Sequence, residues 1–273
     1  MNTALSSLLR RASLVLAATL AFAAPSIAET ADNEIWKGLQ KDVFDSREIS
    51  DGTGMITMEA PIRAEDAATV PITIRMPAAF AGNVKALTLV VDKNPSPVVA
   101  TFSYGSAAGK GDRMLATRIR MDQYSDVRAI AETMDGKLYM ISKYVKASGG
   151  CSAPASKDAE EAAKSLGKMQ IKTAIAKSSD GLSQEGQIMI KHPNVTGMQM
   201  DQLTGLYAPA RFVSKIEVKT GANLVFSMTG GISISEDPNM RFTYEGNPAD
   251  PMQVKAEDSD GTQFAGQSTS SQS

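Results

Sequence analysis

Val84-Lys85-Ala86-Leu87-Thr88-Leu89-Val90-Val91-Asp92, the turn Lys93-Asn94-Pro95-Ser96-Pro97, and Val98-Val99-Ala100-Thr101-Phe102-Ser103-Tyr104 decide the fold class. Two β-branched runs flank a proline-rich break that can continue neither helix nor ladder. The same grammar extends in both directions. Upstream lie Met55 to Glu59 and Val70 to Met76; downstream lie Leu115 to Met121, Val127 to Met134 and Leu138 to Val145. Asp135-Gly136 separates the last two runs and predicts a type I′ hairpin turn. After Met169 the pattern returns at Ile171 to Lys177, Glu185 to Lys191, Phe212 to Lys219, Leu224 to Met228, Gly230 to Ser235, Met240 to Tyr244 and Met252 to Ala256. Short alternating strands with turn signals about every ten residues predict an all-β chain of two β-sandwiches, the second smaller.

Two stretches break this rhythm. Glu34 to Phe44 spaces Ile35, Leu39 and Val43 four apart, with Trp36 beside them, and predicts a short amphipathic helix in which Trp36 is a packing anchor. Asp158 to Lys168 is rich in alanine and glutamate, with Glu160 and Lys164 in the favourable order, and predicts a partly helical linker. The resulting divisions are a signal peptide at 1–28, a first sandwich with its helix at 34–148, an arm and linker at 149–168, a second sandwich at 169–257 and a polar, disordered tail at 258–273.

The N-terminus carries Arg10-Arg11, a short apolar run from Leu14 to Phe22, and small residues before a cut after Ala28. This is the form of an export signal, too short to be a stable span. The paired arginines fit a twin-arginine route as well as general secretion. The expected location is therefore the periplasm, with no membrane span in the mature chain. A net charge of −2 with dispersed lysines and arginines argues against a nucleic-acid partner.

Export directs attention to Cys151, the only cysteine. An exported lone thiol is free, pairs with another molecule, or is a buried bystander. Its setting, Lys146-Ala147-Ser148-Gly149-Gly150-Cys151-Ser152-Ala153-Pro154, reads as a mobile loop. Gly149 and Gly150 would give it flexibility, and Lys143, Lys146 and Lys157 would lie near the thiol. His192, the only histidine, reads as structural. One cysteine and one histidine do not make a zinc site, and no catalytic base, phosphate loop or cofactor motif stands out, so no cofactor and no catalytic residue is expected. Gly105 to Gly111 reads as a loop between strands.

Several ordered motifs resemble a known family. Ala64-Glu65-Asp66-Ala67, Val91-Asp92-Lys93-Asn94-Pro95-Ser96-Pro97, Gly136-Lys137-Leu138-Tyr139-Met140 and Val145 to Cys151 are similar to SoxY. Lys191-His192-Pro193-Asn194-Val195-Thr196-Gly197, Pro209-Ala210-Arg211-Phe212-Val213 and Gly231 to Ser235 with Pro238 are similar to SoxZ. The pair resembles fused SoxYZ-like carriers associated with quinoprotein dehydrogenases. The resemblance implies two immunoglobulin-like sandwiches joined by the cysteine-bearing loop, a non-catalytic carrier with a thiosulfate-derived intermediate on Cys151, and sulfur-oxidation enzymes or quinoprotein dehydrogenase components as partners. It departs from SoxY in one respect. Ser152-Ala153-Pro154 replaces trailing glycines, and the arm is tethered at both ends. Two other functions stand beside the carrier: an accessory of a quinoprotein dehydrogenase with a dispensable thiol, and an enzyme in its own right.

Overall fold

A computed structural model describes residues 27–154, 159–176, 183–201 and 204–268. Helix α1 (Ile27–Phe44) comes first, followed by strands β1 (Ile49–Asp51), β2 (Thr57–Glu59) and β3 (Val70–Met76). A single helical turn, α2 (Ala78–Ala81), leads to β4 (Val84–Val91), β5 (Val98–Tyr104), β6 (Arg113–Ile119), β7 (Ser125–Thr133) and β8 (Leu138–Val145). Beyond the cysteine come α3 (Ala159–Ser165), β9 (Met169–Ile175), β10 (Ser183–Ile190), β11 (Val213–Thr220) and β12 (Asn223–Gly230). The chain closes with β13 (Asn239–Glu245), β14 (Met252–Asp258) and β15 (Gln263–Gln267).

The all-β, immunoglobulin-like two-part architecture is as expected. The way the parts join is not visible in a strand pattern. One sheet runs β1-β8-β7-β4-β5-β12-β11-β14-β15 and the other β2-β3-β6-β13-β10-β9. Strand β5 of the first half pairs with β12 of the second, Ala100 opposite Gly230 and Tyr104 opposite Phe226. Strand β6 pairs with β13, Leu115 opposite Phe242. Both sheets therefore cross the junction, and edge strands that would template foreign pairing are satisfied within the chain. Phe102, Phe226 and Phe242 stack edge-to-face across the two layers, with centroids 5.7 and 4.9 Å apart. Such pairs add about 0.5–1.5 kcal/mol each beyond their burial. One continuous apolar core holds residues of both halves.

Helix α1 is fastened by charge as well as by apolar contact. Trp36 packs with Phe44, Val90 and Leu138, as the anchor reading expects. The Arg128 guanidinium lies 4.1 Å from its ring centroid. Arg128 also donates from Nε and Nη2 to the buried Asp92 carboxylate at 2.8 and 2.7 Å.

Several expectations need correction. The Asp135-Gly136 hairpin forms, but only Gly136 has positive φ, +82°. Gly136 N–H donates to Thr133 O at 2.9 Å, so the loop is longer than a type I′ turn. Gly230 to Ser235 is mostly a turn, with a single bridge from Ile234 to Ile119. The tail expected to be disordered from residue 258 instead turns at Gly261 into β15, which pairs with β14 and packs Phe264 against the core. Backbone pairing and one aromatic outweigh the polar composition there. Strand β1, three residues beside β8, was too short to show a period. The export signal lies almost wholly outside the described residues, as does Lys157. No helix among the described residues is long and apolar enough to cross a membrane.

Candidate functional site

The cysteine arm begins where β8 ends, and it does not project. Lys146 N–H donates to Ile62 O at 2.9 Å. Gly149 N–H donates to Asp122 O at 2.9 Å and Gly150 N–H to Met121 O at 2.8 Å. Cys151 is fully buried. The mobile, exposed thiol expected from the glycines is therefore corrected to a docked one. Gly149 takes φ +80°, where a side chain is strained. A Cβ on Gly150 would sit 2.0 Å from Ala67 O. Gly149 serves a left-handed turn and Gly150 a close approach in this state, uses their composition does not distinguish from flexibility.

The floor beneath the arm grows from the turn that opened the sequence reading. Asn94 is buried; its Nδ2 donates to Arg120 O at 2.8 Å and to Ser233 Oγ at 3.0 Å, and its Oδ1 accepts Asp122 N–H at 2.9 Å. Ser233 Oγ in turn donates to Ser96 O at 2.7 Å. This network fixes Arg120 and Asp122, the two charged residues that act on the thiol.

The second half supplies the other wall. Thr196 Oγ1 donates to Cys151 O at 2.6 Å, and Gln199 Nε2 donates to Ala153 O at 2.9 Å. Both side chains are buried. Gln199 also accepts Thr196 N–H through Oε1 at 3.2 Å, and Thr196 Oγ1 accepts Met198 N–H at 3.1 Å. Asn194, at φ +43°, orders the start of this loop. Its Nδ2 donates to Ser235 O at 3.0 Å, and its N–H donates to His192 Nδ1 at 3.1 Å. His192 is buried with Nε2 3.6 Å from Asp258 Oδ2, so the structural reading of this histidine fits its place.

Arg120 touches the arm directly. It is 1% exposed and donates from Nη1 to Gly150 O at 3.0 Å. Burial pushes the Cys151 thiol up to about 11, and Asp122 adds to the rise; Arg120 opposes it. The docked thiol is thus protonated and a poor nucleophile, because the thiolate is the reactive form. Neither Lys143 nor Lys146 is among the groups that shift it. A cavity of about 230 Å³ opens at the foot of the arm, walled by Ala153 and Pro154 on one side and by Arg118 and Arg120 on another. A larger hollow of about 530 Å³ lies on the outer face of β11, β12 and β14 and includes no residue of the arm. The Gly105 to Gly111 loop offers no phosphate cradle, since Glu245 Oε1 already accepts Lys110 and Gly111 N–H at 2.7 and 2.8 Å.

The family model of the sulfur oxidation protein SoxY matches residues 40–151, and that of the sulphur oxidation protein SoxZ matches residues 171–269. The chain is a fused SoxYZ-like protein. Its SoxY match ends on Cys151, and the SoxZ match begins just beyond the linker. Among solved structures, the sulfur carrier protein SoxY from Chlorobium limicola f thiosulfatophilum is 26% identical, over 44% of this chain and 99% of that one, at a TM-score of 0.36. A β-glycosidase from Bacteroides vulgatus and a β-glucuronidase from Parabacteroides merdae are 8% and 11% identical. They match over 78% and 79% of this chain and 24% of each of theirs, both at a TM-score of 0.24. No curated protein sequence matches the chain.

The SoxY and SoxZ segments meet at the arm. Residues 64–67 and 91–97, quoted for the SoxY likeness, form its floor; residues 191–197, quoted for SoxZ, close over it. Sequence reading missed Arg120, Thr196 and Gln199. Thr196 lay inside a quoted motif, yet nothing in one sequence links it to a cysteine 45 positions away.

Proposed function

We propose that this fused SoxYZ-like protein is an exported, periplasmic and non-catalytic carrier that holds a thiosulfate-derived intermediate covalently on Cys151 for partner enzymes. One observation carries this. The sole cysteine stands at the end of the SoxY match, on a Gly-Gly arm that the SoxZ half holds in place. Loading joins the thiol to thiosulfate: RSH + S2O3²⁻ gives RS–S–SO3⁻, one proton and two electrons, which a redox centre on a partner enzyme accepts. The docked thiol is too basic for this, so the partner draws the arm out as a loop tethered at both ends. Sulfur-oxidation enzymes are the partners this chemistry requires.

The burial of the thiol favours a second reading, in which the chain is an accessory of a quinoprotein dehydrogenase and the cysteine is dispensable. Intact mass spectrometry of protein isolated from its native compartment separates the two. The carrier shows a reducible adduct on Cys151, and Cys151→Ser abolishes sulfur carriage while the protein stays folded. Full rescue of a deletion phenotype by Cys151→Ala, with no adduct found, assigns the accessory role.

A further inference from the structure

The cavity at the foot of the arm has an unusual lining. Arg118 and Arg120 stand two residues apart on the chain at the end of β6, and both line it. The Nε–H of each is buried with no hydrogen-bond acceptor among the described residues. A buried donor left unpaired costs about 1–3 kcal/mol, more on a charged group. Arg120 is almost wholly buried, and its other nitrogens hold Gly150 O at 3.0 Å and Asn194 O at 3.5 Å. Arg118 spends Nη2 on Asp237 O at 3.4 Å. Two guanidiniums beside one cavity, each with an unpaired donor, are the equipment of an oxyanion site, because this cation matches planar and tetrahedral oxyanions better than an ammonium does.

The acids that share the lining are accounted for. Asp66 accepts Ala68 N–H and Thr69 Oγ1, both at 2.8 Å. Asp237 accepts Lys191 Nζ at 2.6 Å and His192 N–H at 3.0 Å. Glu236 acts on Arg120 and offsets part of its charge. The remaining wall is the arm itself, at Ala153 and Pro154.

We propose that Arg118 and Arg120 seat the sulfonate end of an adduct carried on Cys151, so that a loaded arm re-docks with its anion in this cavity. The site rests on the carrier reading of Cys151. An S-thiosulfonate places its SO3⁻ sulfur two S–S bonds of about 2 Å each from the thiol sulfur, bent at the middle atom. The cavity volume is several times the roughly 30 Å³ share of a water. A neutral adduct of like length gains nothing from the arginines.

Two adducts test this. Tetrathionate converts the thiolate to the S-thiosulfonate and releases thiosulfate: RS⁻ + S4O6²⁻ gives RS–S–SO3⁻ + S2O3²⁻. Methyl methanethiosulfonate gives the neutral methyl disulfide and releases methanesulfinate. Removal of each adduct by a phosphine is followed by intact mass, in wild type and in Arg118→Gln, with Arg118→Lys as the charge-keeping variant. Comparing each adduct with itself across proteins cancels intrinsic reactivity. The expected result is at least a ten-fold faster loss of the thiosulfonate in Arg118→Gln, partial recovery in Arg118→Lys, and an unchanged methyl disulfide. Equal acceleration of both adducts, or of neither, overturns the site. So does failure of tetrathionate to reach Cys151 at all, since a seat without a route for cargo has no use. Saturable stabilisation of Cys151→Ser by free thiosulfate, without adduct-specific protection, assigns the cavity to a free anion and also overturns it. Absence of any adduct on protein from its native compartment defeats the carrier reading, and leaves the differential protection to be judged by itself.

Discussion

Thr196→Val removes the hydrogen bond by which the SoxZ half grips the arm, while keeping the side chain's shape. In the docked state the Cys151 carbonyl accepts Thr196 Oγ1 at 2.6 Å in a buried setting. Valine leaves that carbonyl unpaired when docked, whereas in the released arm water satisfies it. Valine also deprives Met198 N–H of its acceptor, but in both states, so the penalty that separates docked from released arm is the carbonyl's, at about 1–3 kcal/mol. That is a shift of about 5- to 150-fold in the docking equilibrium. Docking also holds the thiol near 11 against an ordinary 9.0. Two units correspond to on the order of 3 kcal/mol between docked thiol and docked thiolate, so alkylation at pH 8 proceeds through the released arm. Iodoacetamide labelling followed by intact mass then reads the released fraction. Wild type should label far more slowly than a short peptide of the same sequence, and Thr196→Val faster than wild type by about 5- to 150-fold. Gly150→Ala, whose Cβ meets Ala67 O at 2.0 Å, should approach the peptide rate with the sheets intact by circular dichroism. Wild-type labelling at the peptide rate, unaffected by either change, would refute the docked arm and the grip assigned to Thr196.

The other outcomes concern pH and stability. The Cys151 thiol is raised in the folded state, so the stability it contributes is complete below about 9 and is lost as pH rises through about 11. Urea midpoints should fall across that window in wild type and less in Cys151→Ala. His192 is shifted the opposite way, chiefly by burial, so its contribution is present above the ordinary 6.5 and is lost as pH falls below it. The melting temperature should drop on acidification from 7 to 5, less steeply in His192→Gln. A steeper drop in the variant would contradict the buried neutral imidazole. Arg128→Ala strips the buried Asp92 of its bidentate partner and Trp36 of its cation, and should cost about 3–5 kcal/mol in chemical denaturation. A cost below about 1 kcal/mol would place α1 and its ion pair outside the cooperative fold.

Most strands were legible because a half-buried strand repeats every two residues, and β3, β13 and β14 carry that period plainly. Trp36 was legible as an anchor because a lone large aromatic on a helical stripe has few other uses. The thiol's environment was not legible. Glycines that free a backbone and glycines that let it pass beneath a carbonyl look alike in composition. Only the 2.0 Å approach of Ala67 O to a Gly150 side chain distinguishes them. The lysines were nearest in sequence, yet the groups acting on Cys151 are Arg120 and Asp122, which the Asn94 turn holds from another strand end.

By itself the sequence determined the all-β class, the two-part order, the lone cysteine between the parts and the motifs that resemble SoxY and SoxZ. These properties are local, set by alternation, turn residues and composition. Tertiary structure alone decided that β5 joins β12 and β6 joins β13 into sheets shared by both halves. It also decided that Thr196 and Gln199 reach across that junction to close the arm, and that Arg118 and Arg120 share a cavity with it. Those contacts depend on which edges find one another, and strand periodicity is the same whichever neighbour a strand takes.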